Sequence, residues 1–470
     1  MRRLNMLDAS WLLVESPETA MQVAGLQIFR LPKNAPSDFM QKFVAYLRSF
    51  PVSTPPFNYR LARGAMAKLA PAWETVRDVD IDYHLRHSAL PAPGGERELG
   101  VLISRLHSIA LDKTKPLWEC HVIEGLEPTK DGAGRFALYI KAHHSLLDGM
   151  AAVRIIQSTL SEDPNFEEVP PPWSRPVPKV PRAERMPVSP LEQMREQFGG
   201  LPSAIRALRI MRAVRKKKGE EGLVAPYTSP PSILNTRVTA QRRVATQSHD
   251  LARYKKLAQL GDCTLNDIVL AICGGALRRY LSEMNALPEK PLIANLPVSV
   301  RPKDDGEGAG NAISTMLASL ATDVPDVRER LEVIKQSTVR GKEHLQSMPR
   351  AAITHYTTLI MLPFMVGQLT GRINIKRPMF NTVVSNVPGP KNPLYFNGAE
   401  MEAVYPVSLI FDGQALNITV LSYADRINWS FTACRTSLPH VQRLAVYTGE
   451  AVDELEDVLN GSAKKRRKAA

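Results

Sequence analysis

The stretch Phe136-Ala-Leu-Tyr-Ile-Lys-Ala142, followed by His143-His144-Ser145-Leu146-Leu147-Asp148-Gly149 and the small-residue start Met150-Ala-Ala-Val, decides how this chain is read. An apolar run bounded by turn residues predicts a buried strand, and the pattern over residues 150–160 predicts the helix that follows it. A strand ending in two imidazoles and a carboxylate is not core filling. In an extended chain His143 and His144 point to opposite sides, so one ring can enter a cleft while the other faces the protein. Asp148 reads as a helix cap or as the partner of an arginine behind the turn, and Gly149 as backbone freedom where the chain leaves it.

Outward from this stretch the same alternation of short strands and helices continues. Residues 21–29 read as a strand and 38–50 as a helix; downstream, 265–284 and 327–344 read as helices and 292–298 and 416–423 as strands. Between the two blocks lies the proline-dense run EEVPPPWSRPVPKVPRAERMPVSP over residues 167–190, which permits neither helix nor central strand. The expectation is an α/β chain of two domains, residues 1–165 and 235–460, joined by a linker over 166–234 and followed by a basic tail over 461–470.

Composition bounds the class. Of 470 residues 44% are hydrophobic and 23% charged, ordinary globular values that exclude general disorder and fibrous architectures. The net charge of +13 favours an anionic partner: nucleic acid, an anionic membrane surface or a polyphosphate-bearing substrate. No zinc-finger spacing, RNP-type aromatic motif or basic-zipper heptad accompanies the charge, which speaks against nucleic acid. The four cysteines, Cys120, Cys263, Cys273 and Cys434, show no zinc or redox spacing and read as core packing. The first eight residues lack the apolar core and cleavage site of a signal peptide, so a reducing cytoplasm is expected.

Two segments raise the question of lipid. Residues 351–371 carry no formal charge but hold His355, Gln368 and a central Pro363, so a spanning helix, a buried core helix and a partly exposed apolar surface all remain open. Over residues 193–218, Ile205, Leu208, Met211 and Val214 recur every three positions beside Arg206, Arg209, Arg212 and Arg215. Such a helix either lies on an anionic membrane or packs between domains with a solvated basic face. The run Lys464-Lys465-Arg466-Arg467-Lys468 reads as a disordered tail.

A single cleft histidine suits one kind of chemistry. An imidazole of ordinary pKa, about 6.5, is largely neutral at physiological pH and can take a proton from an alcohol as its oxygen attacks a carbonyl. Ser145 has no G-x-S-x-G elbow around it. Metal binding by His143, His144 and Asp148 is a second reading, opposed by the divergence of adjacent imidazoles; a purely structural pair is the third. Asn266 and Asp267, at the start of an apolar helix, read equally as caps or, for the amide, as an oxyanion donor. Pro116-Leu117-Trp118 reads as packing or as the wall of an acyl tunnel.

These residues also carry a resemblance. HHSLLDG is similar to the HHxxxDG signature of the CoA-dependent acyltransferase superfamily. The opening Met6-Leu-Asp-Ala-Ser-Trp11 with Glu15-Ser-Pro-Glu-Thr-Ala-Met-Gln22, then Pro116-Leu117-Trp118-Glu119, Asn266-Asp267, Pro297-Val-Ser-Val-Arg301, Gly310-Asn311, Ser385-Asn386-Val-Pro-Gly-Pro390, Asp412-Gly413 and Asn417, in order over nearly the whole chain, resemble the wax ester synthase/acyl-CoA:diacylglycerol acyltransferase family. The resemblance implies two chloramphenicol-acetyltransferase-like domains, each a mixed sheet with flanking helices, and an active-site tunnel at their interface. It implies a long-chain acyl-CoA as donor substrate, a fatty alcohol or diacylglycerol as acceptor, and neither metal nor further cofactor. His144 would be the base, Asp148 would hold the turn, and His143 would be its supporting neighbour. Peripheral attachment to the inner membrane or lipid inclusions is expected. Rival expectations are another HHxxxDG or condensation-type enzyme, or a catalytically idle lipid-surface protein.

Overall fold

The computed structural model describes residues 2–4, 6–64, 71–147, 149–166, 168–175, 201–215, 222–299 and 313–469. Asp148, Arg301, Gly310 and Asn311 lie outside them, as does most of the proline-dense run and the 193–200 part of the basic stretch.

The principal strands in chain order are β1 (Gln22–Arg30), β2 (Leu85–Ala89), β3 (Trp118–Leu126), β4 (Arg135–His143), β5 (Arg242–Asp250), β6 (Ile293–Ser299), β7 (Ile313–Ser319), β8 (Thr382–Pro388), β9 (Tyr395–Phe396), β10 (Ala399–Val407), β11 (Leu416–Tyr423) and β12 (Arg426–Cys434). The helices that matter here are α1 (Met6–Val14), α2 (Phe39–Arg48), α3 (Glu96–Ser108), α4 (Gly149–Thr159), α5 (Leu201–Arg215), α6 (Leu265–Glu283), α7 (Val327–Gln346), α8 (Arg350–Thr370) and α9 (Val441–Ala469). They build two six-stranded mixed sheets, in the orders β9-β10-β1-β4-β3-β2 and β7-β6-β8-β11-β12-β5. The α/β architecture of two sheets with flanking helices is as expected.

Alternation along the strands makes each sheet two-faced. In the first sheet Phe29, Phe136 and Leu138 pack with Phe43 and Leu47 of α2, while Leu26, Ile28 and Tyr139 of the opposite face pack with Ile103 of α3. Each such side chain contributes roughly 1.5–3 kcal/mol of burial free energy. The second core surrounds α6, which buries residues all round its circumference and so reads as uniformly apolar.

The expected domain division needs one correction. Residues 235–460 do not form a self-contained unit, because β10 leaves the second half and pairs antiparallel with β1, Val404 opposite Gln27 and Tyr405 opposite Leu26. The chain departs at Gly389-Pro390, where a Cβ on Gly389 would stand 2.3 Å from the Ser422 carbonyl oxygen. Asn386 and Val387 lie in β8, which ends at Pro388 just before this departure. The added strand pairs the edge that β1 would otherwise leave open. A second tie lies at β5, whose Val244 and Arg242 N–H groups donate to Ser104 and Ser108 Oγ of α3 at 2.9 and 2.8 Å.

No single described helix is long and apolar enough to cross a membrane. Helix α8 divides instead: Ala352, Ile353, Tyr356 and Ile360 join the second core, whereas Leu359, Leu362, Val366 and Leu369 are exposed. Helix α5 packs on α8. Its Leu208 and Met211 face the core, and Ile205, Ile210, Arg206, Arg209 and Arg212 face outward. The C-terminal basic run is a continuation of α9 rather than a disordered tail. Lys, Arg and Ala are good helix formers, and cations complement the negative end of a helix. The cysteines form no disulfide; Cys120, Cys273 and Cys434 are buried and Cys263 half-buried.

Candidate active site

The histidine pair stands where β4 ends at the junction of the two halves. Consecutive amides there bond to opposite sides: His143 N–H donates to the Leu117 carbonyl at 3.0 Å and His144 N–H to that of Met21 at 2.8 Å. The two rings diverge accordingly, as the alternation of an extended chain requires.

His143 is enclosed. Its Nδ1 accepts from the Ser145 N–H at 3.1 Å and lies 2.6 Å from Ser145 Oγ, which leaves the ring proton on Nε2. That nitrogen faces Glu15 Oε2 at 3.6 Å. Glu15 accepts from the Met21 N–H at 3.1 Å and pairs with Lys113 Nζ at 2.5 Å. Burial works to raise its pKa, but the facing His143 ring and the Lys113 ammonium prevail and hold it at about 2. Met21 thus connects Glu15, through its N–H, to the His144 backbone, through its carbonyl.

His144 is half-buried, its ring against the indole of Trp11 at a centroid distance of 4.3 Å and a tilt of 31°. Trp11 in turn meets Phe411 at 6.1 Å, and Phe411 meets Phe364 of α8 edge-on at 5.7 Å. Leu409, Val14 and Met365 complete this cluster. The row of rings leads from the imidazole into the second half, an apolar wall of the kind that holds an alkyl chain.

Behind the pair, charged groups brace β4. Lys141, fully buried, donates to the Leu106 and Ile109 carbonyls at 3.1 and 2.9 Å and lies 3.3 Å from Glu119 Oε2. Burial works to raise the Glu119 pKa, yet His121, Lys141 and Arg86 hold it at about 2. Gln22, opposite His143 in the ladder, donates to the His107 and Ile109 carbonyls at 2.7 and 2.9 Å. His107 donates from Nε2 to the Ser408 carbonyl at 2.9 Å and receives the Tyr139 hydroxyl on Nδ1 at 2.7 Å. Burial pushes its pKa down to about 3, so it stays neutral while joining the two halves.

The other expected site residues lie elsewhere. Asp148 is outside the described residues. Gly149 opens α4, but its φ is not left-handed and a Cβ there would meet nothing within 4 Å, so backbone freedom does not explain it. Asp267 closes the α6 capping box with Thr264 and accepts from Thr338 Oγ1 at 2.6 Å, and is therefore occupied as a cap. Asn266 is half-buried on the same first turn. Pro116 and Leu117 are buried, and Trp118 is enclosed by Trp173, Phe57 and His84, its indole donating to the Phe57 carbonyl at 2.8 Å. That is packing. Glu15, Trp11, Lys113 and Phe411 are the site residues that sequence spacing had assigned no role.

The family model of the wax ester synthase/diacylglycerol acyltransferase catalytic domain matches residues 4–269, and that of the WS/DGAT C-terminal domain matches 309–456. An O-acyltransferase of Acinetobacter baylyi is 40% identical over 466 residues, 98% of each chain. A probable diacylglycerol O-acyltransferase of Mycobacterium tuberculosis is 40% identical over 456 residues, 96% of this chain and 98% of that one. The wax ester synthase/diacylglycerol acyltransferase of Marinobacter aquaeolei superposes with a TM-score of 0.78 at 36% identity, covering 98% of this chain and 100% of the other. The starter condensation domain of rhizomide synthetase, at 13% identity and a TM-score of 0.54 over 98% of this chain and 94% of that one, shares the fold alone.

Proposed function

The chain belongs to the wax ester synthase/diacylglycerol acyltransferase family and is an O-acyltransferase, and from that membership we propose that it moves a long-chain acyl group from acyl-CoA to the hydroxyl of a fatty alcohol or a diacylglycerol, with His144 as general base. The observation that carries the assignment of the base is the position of His144: a half-buried imidazole at the strand end between the halves, set against a row of apolar rings. His143 has its Nδ1 occupied by Ser145 and its other nitrogen turned to a buried carboxylate, which supports His144 rather than His143 as the base.

His144 takes the proton of the acceptor hydroxyl while the oxygen attacks the thioester carbonyl. The tetrahedral intermediate collapses, the carbon–sulfur bond breaks, and the imidazolium returns the proton to the departing CoA thiolate. No covalent acyl-enzyme is required, and a positioned base of this kind is worth typically about 10²–10⁴-fold in rate.

The enzyme works at a lipid surface, the cytoplasmic face of the inner membrane or a lipid inclusion. Support comes from α8, whose inner residue Phe364 touches the site's ring row while Leu362, Val366 and Leu369 stand exposed outside, flanked by the arginines of α5. Water-insoluble acceptors and products then have a short apolar path.

The test is an assay with palmitoyl-CoA and either hexadecanol or dioleoylglycerol, following ester and free thiol together. Equal amounts of ester and CoA are expected; thiol release without ester, or neither product, rejects the reading.

A further inference from the structure

The last turn of α3 meets both sides of the catalytic junction. The final carbonyls of a helix have no partner within it and carry its partial negative charge. Here they are taken up from the first sheet, Lys141 donating to Leu106 and Ile109 and Gln22 to His107 and Ile109. Gln22 follows Met21, whose carbonyl receives the His144 N–H at 2.8 Å. The backbone that bears the base is thereby hung from α3.

The ring of His107 reaches the other way. Ser408 is the first residue after β10, where the chain turns back from the first sheet toward β11. Both of its backbone groups are held: the N–H donates to Thr432 Oγ1 of β12 at 3.1 Å, and the carbonyl receives His107 Nε2–H at 2.9 Å. The Tyr139 hydroxyl donates to Nδ1 at 2.7 Å, which fixes that tautomer. The returning segment is pinned again at Asp412, whose carbonyl receives the Gln368 amide of α8 at 2.8 Å. Between the two pins lie Leu409 and Phe411, and Phe411 backs the Trp11 indole that covers the His144 ring.

We propose that His107 is a positioning residue for the transfer reaction: by holding Ser408 it registers the apolar wall of Phe411 and Trp11 against His144, and so sets how well a long-chain acceptor is used relative to a short one. It acts through Ser408 and the two rings rather than on the reacting atoms. The proposal rests on the reading of the chain as an acyltransferase with long-chain alcohols as acceptors, and it names what keeps the base and the chain-binding wall, which come from different halves, in one geometry. A hydrogen bond between enclosed groups suits that task, because its loss frees the segment at one end while the sheets on either side keep their own ladders.

The test compares His107→Gln with His107→Asn in the full-length enzyme, assayed with palmitoyl-CoA and either hexadecanol or butanol. The glutamine amide nitrogen stands where Nε2 stands and still reaches the Ser408 carbonyl, whereas the shorter asparagine amide stands where Nδ1 stands, keeps the Tyr139 hydroxyl and loses Ser408. His107→Asn is expected to raise KM for hexadecanol by about two- to tenfold, the range that one lost hydrogen bond supplies, with KM for butanol unmoved and with His107→Gln close to the wild type for both alcohols. Thr432→Val removes the other bond to Ser408 without touching α3 and should shift the same KM in the same direction, so it answers if His107→Asn does not fold. Added to Trp11→Ala, His107→Asn should contribute less than its separate factor, because both act on one wall. Unmoved KM in His107→Asn and Thr432→Val, equal losses for the two alcohols, a glutamine variant no better than asparagine, or independent multiplication with Trp11→Ala each overturn the proposal. A wild-type enzyme that makes no ester from hexadecanol would instead sink the function on which it rests.

Discussion

The indole of Trp11 covers the imidazole of His144 at 4.3 Å, although one comes from the first helix and the other from the turn after β4. The same indole touches Phe411 of the second half, so the orientation of the base and the apolar wall beside it are set by one side chain. Aromatic contacts of this sort are worth about 0.5–1.5 kcal/mol beyond burial.

Trp11→Ala is therefore expected to lower kcat/KM with palmitoyl-CoA and hexadecanol by about 10-fold or more, since about 1.4 kcal/mol corresponds to tenfold. The loss should be larger for hexadecanol than for butanol, because the wall serves the chain as well as the ring. Equal losses for the two alcohols would separate Trp11 from chain binding.

His144→Ala is expected to reduce ester formation by about 10²–10⁴-fold. Its ring is half-buried, so the thermal midpoint should stay close to that of the wild type. Ester production at the wild-type rate in this variant would reassign the base.

Acid stability follows from two groups of the same sign. Glu15, at about 2 in the fold against an ordinary 4.5, stabilises fully above 4.5 and loses that contribution as pH falls toward 2, about 3 kcal/mol at most. His107, pushed to about 3, stays neutral while the unfolded chain takes a proton below 6.5, so stability also falls as pH drops through that range. Glu15→Gln should flatten urea-measured stability below pH 4.5 and leave the slope above it; an unchanged profile would refute the pairing with His143 and Lys113.

Glu119→Gln strands the buried Lys141 ammonium without its counter-charge and should cost about 3–5 kcal/mol. Adding Lys141→Met removes the stranded charge and should recover much of that loss. A single variant with wild-type stability in denaturant titration would contradict the brace behind β4.

Lipid docking is checked by flotation with phosphatidylglycerol vesicles. Leu362→Ser with Leu369→Ser should weaken attachment through lost apolar insertion, and replacing Arg206, Arg209 and Arg212 by Gln should weaken it mainly at low salt. Retention of both variants at wild-type levels would exclude α5 and α8 as the docking face.

The local elements were legible where patterning was strong. Residues 416–423 read as β11 with the same ends, and the strand, turn and helix around His143 fall within a residue or two of the observed limits. Apolar runs closed by polar turns state their own conformation. What periodicity does not state is pairing across distance. Nothing in the spacing of Ala399–Val407 tells that it joins β1, and nothing between Glu15 and His143 tells that a carboxylate on one side of the chain will meet an imidazole on the other. Trp118 misleads in the opposite direction: a tryptophan beside a chemical motif invites a substrate role, yet three aromatic neighbours enclose it.

The crossover of β10 into the first sheet has a consequence for biosynthesis. Until Val407 has left the ribosome, β1 carries a bare ladder edge, so a nascent chain exposes a template for pairing with its neighbours throughout most of translation. Separately expressed halves inherit the same defect, the first lacking an outer strand and the second trailing an orphan one.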